Sequence, residues 1–157
     1  MRLAAFTDYG MRVLMRLAGT PEEPLTTARI AEEFHIPYNH LTKVVNDLAR
    51  NGFVTTQRGA GGGIRLARPA ETITLGEVVR RLEDCYDMVE CFRADGGACL
   101  LNPLCRLKPQ LVAAREAFLA ELDKTSIADC AYPGPPPDRR KRAPAFDALS
   151  HKSIAGQ

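Results

Sequence analysis

Three of the five cysteines in this chain lie within fifteen residues, in the segment CFRADGGACLLNPLC from Cys91 to Cys105. Seven residues separate Cys91 from Cys99, and five separate Cys99 from Cys105. Structural zinc sites favour close Cys-x-x-Cys pairs with a fourth Cys or His ligand, and this segment has neither. Iron–sulfur clusters are larger and are held by cysteine thiolates over wider spacings, so the pattern favours a cluster. The alternative is three unconnected thiols in a loop.

Cys105 has the sequence surroundings of a reactive thiol. Asn102 and Pro103 predict the N-cap and the first residue of a helix. Cys105 would then lie in the first turn, where the helix dipole favours the thiolate form of a cysteine. Pro109 lacks the amide hydrogen that would bond to the carbonyl of Cys105, so we expect a kink or a short break near residues 105–109.

The composition predicts a cytoplasmic protein without a membrane partner. There is no run of about 18 apolar residues, and the first residues, MRLAAFTDYG, lack the order of a signal peptide. Thiols in a reducing compartment are more often ligands or buried small side chains than bridges, and five is an odd number. We therefore expect no disulfide framework, and we expect Cys85 and Cys130 to be small, partly buried residues.

Three helices are predicted before residue 52. Thr7 is the predicted N-cap of the first helix, and Thr26 or Thr27 that of the second. The third helix is predicted to begin around Pro37 and to end at Gly52. Its inward stripe is predicted to be Leu41, Val44, Val45 and Leu48.

Two β-type runs, FVTTQ and IRLAR, follow the third helix and are joined by RGAGGG, which predicts a glycine-bearing hairpin. The chain is therefore predicted to be mainly α, with a winged helix-turn-helix DNA-binding domain over residues 1–70. Residues 71–132 hold a capping box at TLGE, the cysteine loop and a long helix. The apolar stripe of that helix is predicted to be Leu111, Ala114, Phe118 and Leu122. The segment PGPPPDRRKRAP predicts a largely disordered tail over residues 133–157.

The outer face of the third helix suits the major groove of DNA. Amide side chains can pair with adenine, and basic side chains with guanine or phosphate, while wing arginines can lie beside the backbone or in the minor groove. The predicted DNA contacts are Tyr38, Asn39, Thr42, Lys43, Asn46 and Arg50 on the helix and Arg58 and Arg65 on the wing. The simpler alternative is a solvated helix face beside a hairpin. The net charge of +2 does not decide between them.

With FTDYGMRVL, NHLTKVV, RGAGGGIRLARP and CRLK in place, the chain resembles the NsrR proteins. These are nitric-oxide-sensing members of a bacterial family of iron–sulfur winged-helix repressors that also includes IscR and RirA. The resemblance runs from residue 1 to about residue 130. It implies a homodimer, paired through the long helix as a dimerisation helix, whose cluster-loaded form binds a palindromic double-stranded operator. Attack of nitric oxide on the cluster would release the DNA.

The resemblance also implies the ligands of the cluster. Cys91, Cys99 and Cys105 would hold a 4Fe–4S cluster, with a 2Fe–2S cluster as the other possibility. Asp8 matches an acidic residue that in this family can ligate the cluster from the partner subunit. The alternative for Asp8 is an ordinary charge at a helix N-terminus.

Two other functions stay open at this stage. The seven-residue spacing between the first two loop cysteines is closer to RirA-like sensors, so cluster loss under iron or redox stress is the alternative signal. An iron–sulfur enzyme or electron carrier belongs to a different class. The sequence has no nucleophile–base pair or second cofactor motif to support it, and we expect the protein not to be an enzyme.

Overall fold

The structure is a computed structural model of the 157-residue chain, and it describes residues 3–59, 61–83, 89–93, 95–101 and 104–134. The main elements are α1 (Ala5–Ala18), α2 (Thr27–Phe34), α3 (Tyr38–Arg50), β1 (Val54–Gln57), β2 (Gly63–Leu66), α4 (Leu75–Leu82) and α5 (Leu107–Leu122). Short 3-10 helices lie at Ala70–Thr72, Glu90–Phe92 and Ala128–Cys130. Cys85, the predicted cap at Asn102 and Pro103, and the tail beyond residue 134 lie outside the described residues.

Side-chain caps set the beginnings of two helices, as predicted. The Oγ1 of Thr26 accepts the amide hydrogen of Arg29 at the start of α2, at 3.1 Å. The Oγ1 of Thr74 accepts that of Glu77 at the start of α4, also at 3.1 Å. The carboxylate of Glu77 does not complete the capping box, because both of its oxygens accept from Nη2 of Arg68 at 2.6 Å.

The predicted N-cap of α1 is wrong. The helix begins at Ala5, and Thr7 lies inside its first turn, fully buried. The amide of Ala4, the true N-cap, donates to Oε1 of Glu83 at 2.8 Å. The carboxylate of Glu83, at the end of α4, therefore has the capping role at the start of α1 that was predicted for Thr7.

One hydrophobic core lies between α1, α3, α4 and the wing. The stripe predicted for α3 is confirmed, since all four of its side chains are buried. The fully buried hydrophobic side chains of this core are those of Val13, Leu14, Leu25, Ile30, Leu41, Val44, Leu48, Phe53, Ile73, Val78 and Ile127. Burial of this kind contributes roughly 1.5–3 kcal/mol for each large aliphatic side chain. The core includes residues from both sides of residue 70, and the boundary placed there stays a prediction.

The wing is an antiparallel hairpin that is tied to the segment before α2. The register of β1 and β2 runs from Val54 opposite Leu66 to Gln57 opposite Gly63. Ile64 also pairs with Leu25, through amide-to-carbonyl hydrogen bonds of 2.8 and 3.2 Å in the two directions. With α2, the turn and α3, this hairpin confirms the predicted winged helix-turn-helix.

The long helix α5 was predicted, but its beginning and its buried face differ. Leu119 is the buried side chain, whereas the predicted Ala114 is exposed and the other three members of the predicted stripe are half-buried. Cys105 and Arg106 are not helical and α5 begins at Leu107, so the predicted short break near residues 105–109 is confirmed. Pro109 is the third residue of α5, where a backbone amide has no intrahelical acceptor. Cys105 therefore precedes the helix instead of lying in its first turn.

The segment after α5 returns to the first half of the chain. The amide of Ile127 donates to the carbonyl of Ile73 at 2.8 Å, and the amide of Tyr132 donates to that of Met15 at 2.9 Å. Before its short helix Ala128–Cys130, the Oγ of Ser126 accepts from the amide of Asp129 at 3.3 Å, and the N-cap residue Ile127 makes no side-chain capping bond. Within the described residues, no helix has the length and apolarity needed to cross a membrane.

Candidate functional site: the helix α3, the wing and the cysteine loop

The turn between α2 and α3 presents the polar face of α3 to solvent. His35 ends α2 in the left-handed conformation, with φ at 53°, and Pro37 precedes α3. The exposed predicted contacts on α3 are Tyr38, Asn39, Lys43, Asn46 and Arg50. Thr42 is half-buried, and its Oγ1 donates to the carbonyl of Tyr38 at 2.9 Å, so its hydroxyl hydrogen is already used.

The basic residues of the wing have two different roles. Arg58 is exposed where β1 ends, beside Gly59 and Gly61, whose φ values of 101° and 75° shape the tip. Arg65 is also exposed, but its Nη1 donates to the carbonyls of Pro21 and Glu22 at 3.2 and 3.1 Å. Arg58 is therefore free to meet DNA, whereas Arg65 first serves to fix the base of the wing.

Arg68, at the base of the wing, is held by the protein itself. It pairs with Glu77, and its guanidinium carbon lies 5.7 Å from the centre of the Phe53 ring. The basic stripe seen in the sequence between residues 50 and 68 therefore contains two anchoring arginines, Arg65 and Arg68. The two that remain available are Arg50 and Arg58.

The cysteine loop carries three reduced, half-buried thiols. Cys91 lies in the short helix Glu90–Phe92, Cys99 follows a tight turn, and Cys105 precedes α5. Glu90 organises the turn, because its Oε1 accepts the amide hydrogen of Ala98 at 2.9 Å. Such thiols are soft donors that suit iron in a cluster.

The rest of this turn depends on Asp95 and the glycines beside it. The carboxylate of Asp95 accepts from the amide of Gly97 at 2.9 Å and from Nη2 of Arg93 at 3.1 Å. Gly97 has φ at 64°, and a Cβ there would run into Glu90. Glycine at this position is therefore required by both conformation and space.

The donor types fit an iron–sulfur cluster, but the structure does not bring the three thiols together as ligands. Within the described ranges, no three Cys, His, Asp or Glu side chains form a metal-binding group. Beside the cysteines, Leu100, Leu101 and Leu104 expose 97%, 69% and 90% of their surface. Among the described residues of the loop, these three leucines contribute little packing, and the polar contacts of Glu90 and Asp95 help to fix its shape.

Asp8 lies on α1, in a groove that contains none of the loop cysteines. The groove has a volume of about 590 Å³, and the other residues that line it are Leu3, Ala5, Tyr9, Arg12, Phe34, His35 and Ile36. Arg12 pairs with Asp8 through Nε at 3.2 Å and Nη2 at 2.6 Å. This pair was not predicted, although the spacing of four residues on one helix is a signal for it.

A buried ion pair between Arg16 and Glu33 was also not predicted. Arg16 exposes 1% of its side chain, and its Nε donates to Oε2 of Glu33 at 2.7 Å. Arg29 approaches the same carboxylate, with Nε 3.1 Å from Oε1. Burial, the largest single influence, would raise the pKa of Glu33, but the hydrogen bonds and charges of Arg16 and Arg29 together lower it. The pair joins α1 to α2.

The chain matches the Rrf2 family, described as an iron-dependent transcriptional regulator, over residues 3–133. It is 47% identical over 130 residues to the HTH-type transcriptional regulator NsrR of Bacillus subtilis, covering 82% of this chain and 89% of that protein. The NsrR of Shouchella clausii is 43% identical over 130 residues, which cover 82% and 87%. The solved structure of CymR (YrzC), the global cysteine regulator of B. subtilis, matches with a TM-score of 0.68 at 28% identity, over 83% and 96% of the two chains. The family match includes α3, the wing and the cysteine loop.

Proposed function

The chain belongs to the Rrf2 family of transcriptional regulators, and from this premise we propose that it is a repressor that senses nitric oxide through an iron–sulfur cluster. It is a DNA-binding regulator of transcription and not an enzyme, in keeping with its relatives, which are named HTH-type transcriptional regulators, and with the family, which is described as a transcriptional regulator. The observation that carries the finer proposal is the presence of three free, half-buried thiols on one loop of a winged helix-turn-helix chain. The proposed site of action is the cytoplasm, where thiols stay reduced.

The proposed ligands of the cluster are Cys91, Cys99 and Cys105, with Asp8 of the partner subunit as the fourth ligand. A 4Fe–4S cluster is proposed, and a 2Fe–2S cluster is the other possibility. When bound, such a cluster supplies an iron without a thiolate, which a small ligand such as nitric oxide can reach. The cysteines themselves supply thiolates, and a cluster would give the loop the fixed shape that its own packing provides only in part.

Asp8 is suited to exchange between two partners. Asp8 pairs with Arg12, which lies one helical turn further along α1. The side chains of Asp8 and Arg12 expose 46% and 32% of their surface. Pairs of this kind contribute only about 0.3–0.5 kcal/mol, so leaving Arg12 costs little. The same groove contains His35 and Ile36, which lie in the turn between α2 and α3. A change at Asp8 is therefore adjacent to the segment that orients the DNA-reading helix.

In the proposed repressor, a homodimer paired through α5 binds a palindromic duplex. Val112 and Leu107 of α5 expose 42% and 60% of their surface, which supports a partner for this helix. Bases would be read by Asn39, Lys43 and Asn46, while Arg50 and the wing residue Arg58 would contact phosphates. The proposed release of the operator follows cluster nitrosylation.

The second candidate is an iron- or redox-responsive repressor, in which cluster loss is the signal. The seven residues between Cys91 and Cys99 favour it, because the resemblance to RirA-like sensors rests on that spacing. The two candidates share the fold, the DNA and the ligands. They differ in what releases the duplex: a chelator for the second candidate, or stoichiometric nitric oxide for the first.

Anaerobic reconstitution tests the proposal. The full chain is loaded with iron and sulfide, the iron is counted, and binding to a palindromic duplex is followed while nitric oxide or a chelator is added. Release by stoichiometric nitric oxide, without a chelator, is the expected result. Release by the chelator alone supports the iron-responsive candidate. Protein that binds no iron while its thiols stay reduced contradicts both.

A further inference from the structure

The C-terminal end of α5 is joined to the start of α4 by side chains and by backbone. Asp123, the C-cap of α5, accepts from Nη1 and Nη2 of Arg80 at 2.7 and 2.6 Å, with one bond on each carboxylate oxygen. The Oγ1 of Thr74, the N-cap of α4, donates to Oδ1 of Asp123 at 3.3 Å. The amide of Leu75 donates to the carbonyl of Thr125 at 3.0 Å. These bonds hold the two helices together where α5 ends.

Gly76 determines how closely the two helices approach each other. It is buried in the first turn of α4, and a Cβ there would collide with Oδ1 of Asp123 and lie 2.8 Å from the carbonyl oxygen of Leu119. The backbone of α5 would have to move to admit even an alanine, because a carbonyl oxygen within a helix cannot turn aside as a side chain can. Gly76 and the ion pair of Arg80 with Asp123 therefore fix both the distance and the angle between α4 and α5. These three residues are the α4–α5 joint.

Most of α5 has little contact with its own subunit. Leu119 is its buried residue, and the side chains of residues 107–118 are exposed or half-buried. Among the described helices and strands, α5 packs chiefly against α4. On its other side, α4 contributes Val78 and Leu82 to the hydrophobic core that also contains the buried face of α3. The direction in which α5 leaves the winged helix-turn-helix is therefore set at the α4–α5 joint.

We propose that the α4–α5 joint determines the spacing of the two operator half-sites, because it holds α5 at a fixed angle to α3 and the wing of the same subunit. The proposal rests on the proposed homodimer that pairs through α5, in which each α5 connects its own α3 to the partner. In such a dimer, the distance between the two copies of α3 decides which half-site spacing fits. Gly76, Arg80 and Asp123 are then positioning residues, since none of them is proposed to touch DNA.

The length of α5 makes the angle at the joint important. Its 16 residues measure about 24 Å, so a rotation of about 10° at one end displaces the other end by about 4 Å. Successive base pairs are about 3.4 Å apart along the axis of B-DNA. A small rotation at the joint is therefore enough to favour a half-site spacing that differs by about one base pair.

The test compares Arg80→Gln, which removes the ion pair between the helices, with Lys124→Gln, which removes the same charge from a pair with Glu121 at the same end of α5. The wild-type protein, loaded anaerobically with iron and sulfide, first selects its operator from a pool of random duplexes. Each protein is then titrated with duplexes whose half-sites are moved together or apart one base pair at a time, and with a duplex that has a single half-site. Sedimentation gives the oligomeric state, and thermal unfolding shows that each variant is folded.

The wild type and Lys124→Gln are expected to prefer one spacing over its neighbours by about tenfold, the cost of disturbing a single base contact. Arg80→Gln should lose most of that preference, and Arg80→Lys, which keeps the charge, should retain more of it. Gly76→Ala should move the preferred spacing by about one base pair, because the added Cβ displaces α5. Affinity for the single half-site should be the same for all of these proteins, since α3 and the wing are unchanged.

An unchanged spacing preference in Arg80→Gln overturns the proposal, whether or not Gly76→Ala folds. A loss of affinity that is equal at every spacing and on the single half-site also overturns it, because such a loss shows a role in folding alone. A dimeric wild type that is indifferent to spacing contradicts the proposal but not the proposed dimer. A monomeric wild type contradicts both, and a wild type that selects no duplex contradicts the DNA-binding assignment itself.

Discussion

Arg12 and Asp8 face each other one turn apart on α1, with both carboxylate oxygens of Asp8 accepting hydrogen bonds from the one guanidinium. The acidic side chain that we propose as a cluster ligand for a partner subunit is thus already paired within its own chain. The pair is half-exposed, and its loss costs little stability. Substitution of Asp8 can therefore separate its proposed role as a cluster ligand from its structural role in the ion pair.

Asp8→Asn is expected to change the unfolding free energy of the cluster-free protein by less than about 0.5 kcal/mol, since only an exposed helical pair is lost. Iron retention should fall, because an amide is a weaker ligand than a carboxylate. The measurements are chemical unfolding and the rate of iron loss after anaerobic loading. Glu121→Gln, which removes an exposed pair with Lys124 on α5, is the control. If both variants keep iron equally well, Asp8 is only a helix charge.

Glu33→Gln is expected to destabilise the fold by about 3 kcal/mol, because Arg16 would keep its buried charge without a counter-charge. Urea unfolding measures the loss. Glu23→Gln is the matched control, since Glu23 pairs with Arg29 at the surface and exposes 58% of its side chain. Similar losses for the two variants would mean that the buried pair contributes no more than an exposed one.

Acidification should remove the contribution of Glu33 selectively. Its pKa in the folded chain is lowered, so the unfolded chain binds the proton first as the pH falls. The stability from this group is complete well above about pH 4.3, the ordinary glutamate pKa, and is lost as the pH falls through the folded value. The difference in stability between wild type and Glu33→Gln should therefore shrink between about pH 5 and pH 3. A constant difference over that range contradicts the assignment.

Cys99→Ala is expected to abolish iron binding, the brown colour and regulated DNA binding, because it leaves two thiolates on the loop. Absorbance and iron counting after anaerobic loading measure the effect. Cys130→Ala is the control: it removes another free, half-buried thiol, but from the short helix that follows α5. A Cys99→Ala protein that still responds to nitric oxide would exclude the loop as the sensor.

Asn46→Ala should weaken operator binding by about 1–3 kcal/mol and relax the preference for the base that it contacts. The fold should be unaffected, since Asn46 is exposed on α3. Gln110→Ala removes an exposed amide from α5 and is expected to leave affinity unchanged. Titrations with operators altered one base pair at a time measure both quantities. Equal affinities for the two variants would place the base contacts elsewhere.

Local signals in the sequence predicted much of the fold correctly. Thr26 and Thr74 act within three residues of the amides they cap, and Gly52 ends α3 with φ at 74°. The start of α1 was predicted wrongly, because Glu83, far along the chain, supplies its acceptor. A single-sequence pattern contains no information on such distant contacts. The pairing of Leu25 with Ile64 was missed for the same reason.

Some features of the candidate site could likewise be predicted from local sequence patterns, whereas others depend on distant contacts. The exposed side chains of α3 follow from helical periodicity, which the sequence contains. The tethering of Arg65 to the carbonyls of Pro21 and Glu22 does not, because it depends on how the wing folds back on the loop after α1. The proposed gathering of three thiols around a metal would be a property of the loaded protein, so neither the spacing nor the chain by itself determines its geometry.

The two hydrogen bonds between Leu25 and Ile64 have a consequence for the operator. Leu25 lies two residues before α2, and Ile64 lies on the wing, so the bonds hold the helix-turn-helix and the wing at a constant separation. Bending at the hairpin to lengthen that interval would have to break these two hydrogen bonds. Base pairs inserted between the bases that we propose α3 reads and the groove that we propose the wing enters should therefore weaken one of the two contacts, whereas sequence changes within the interval should be tolerated.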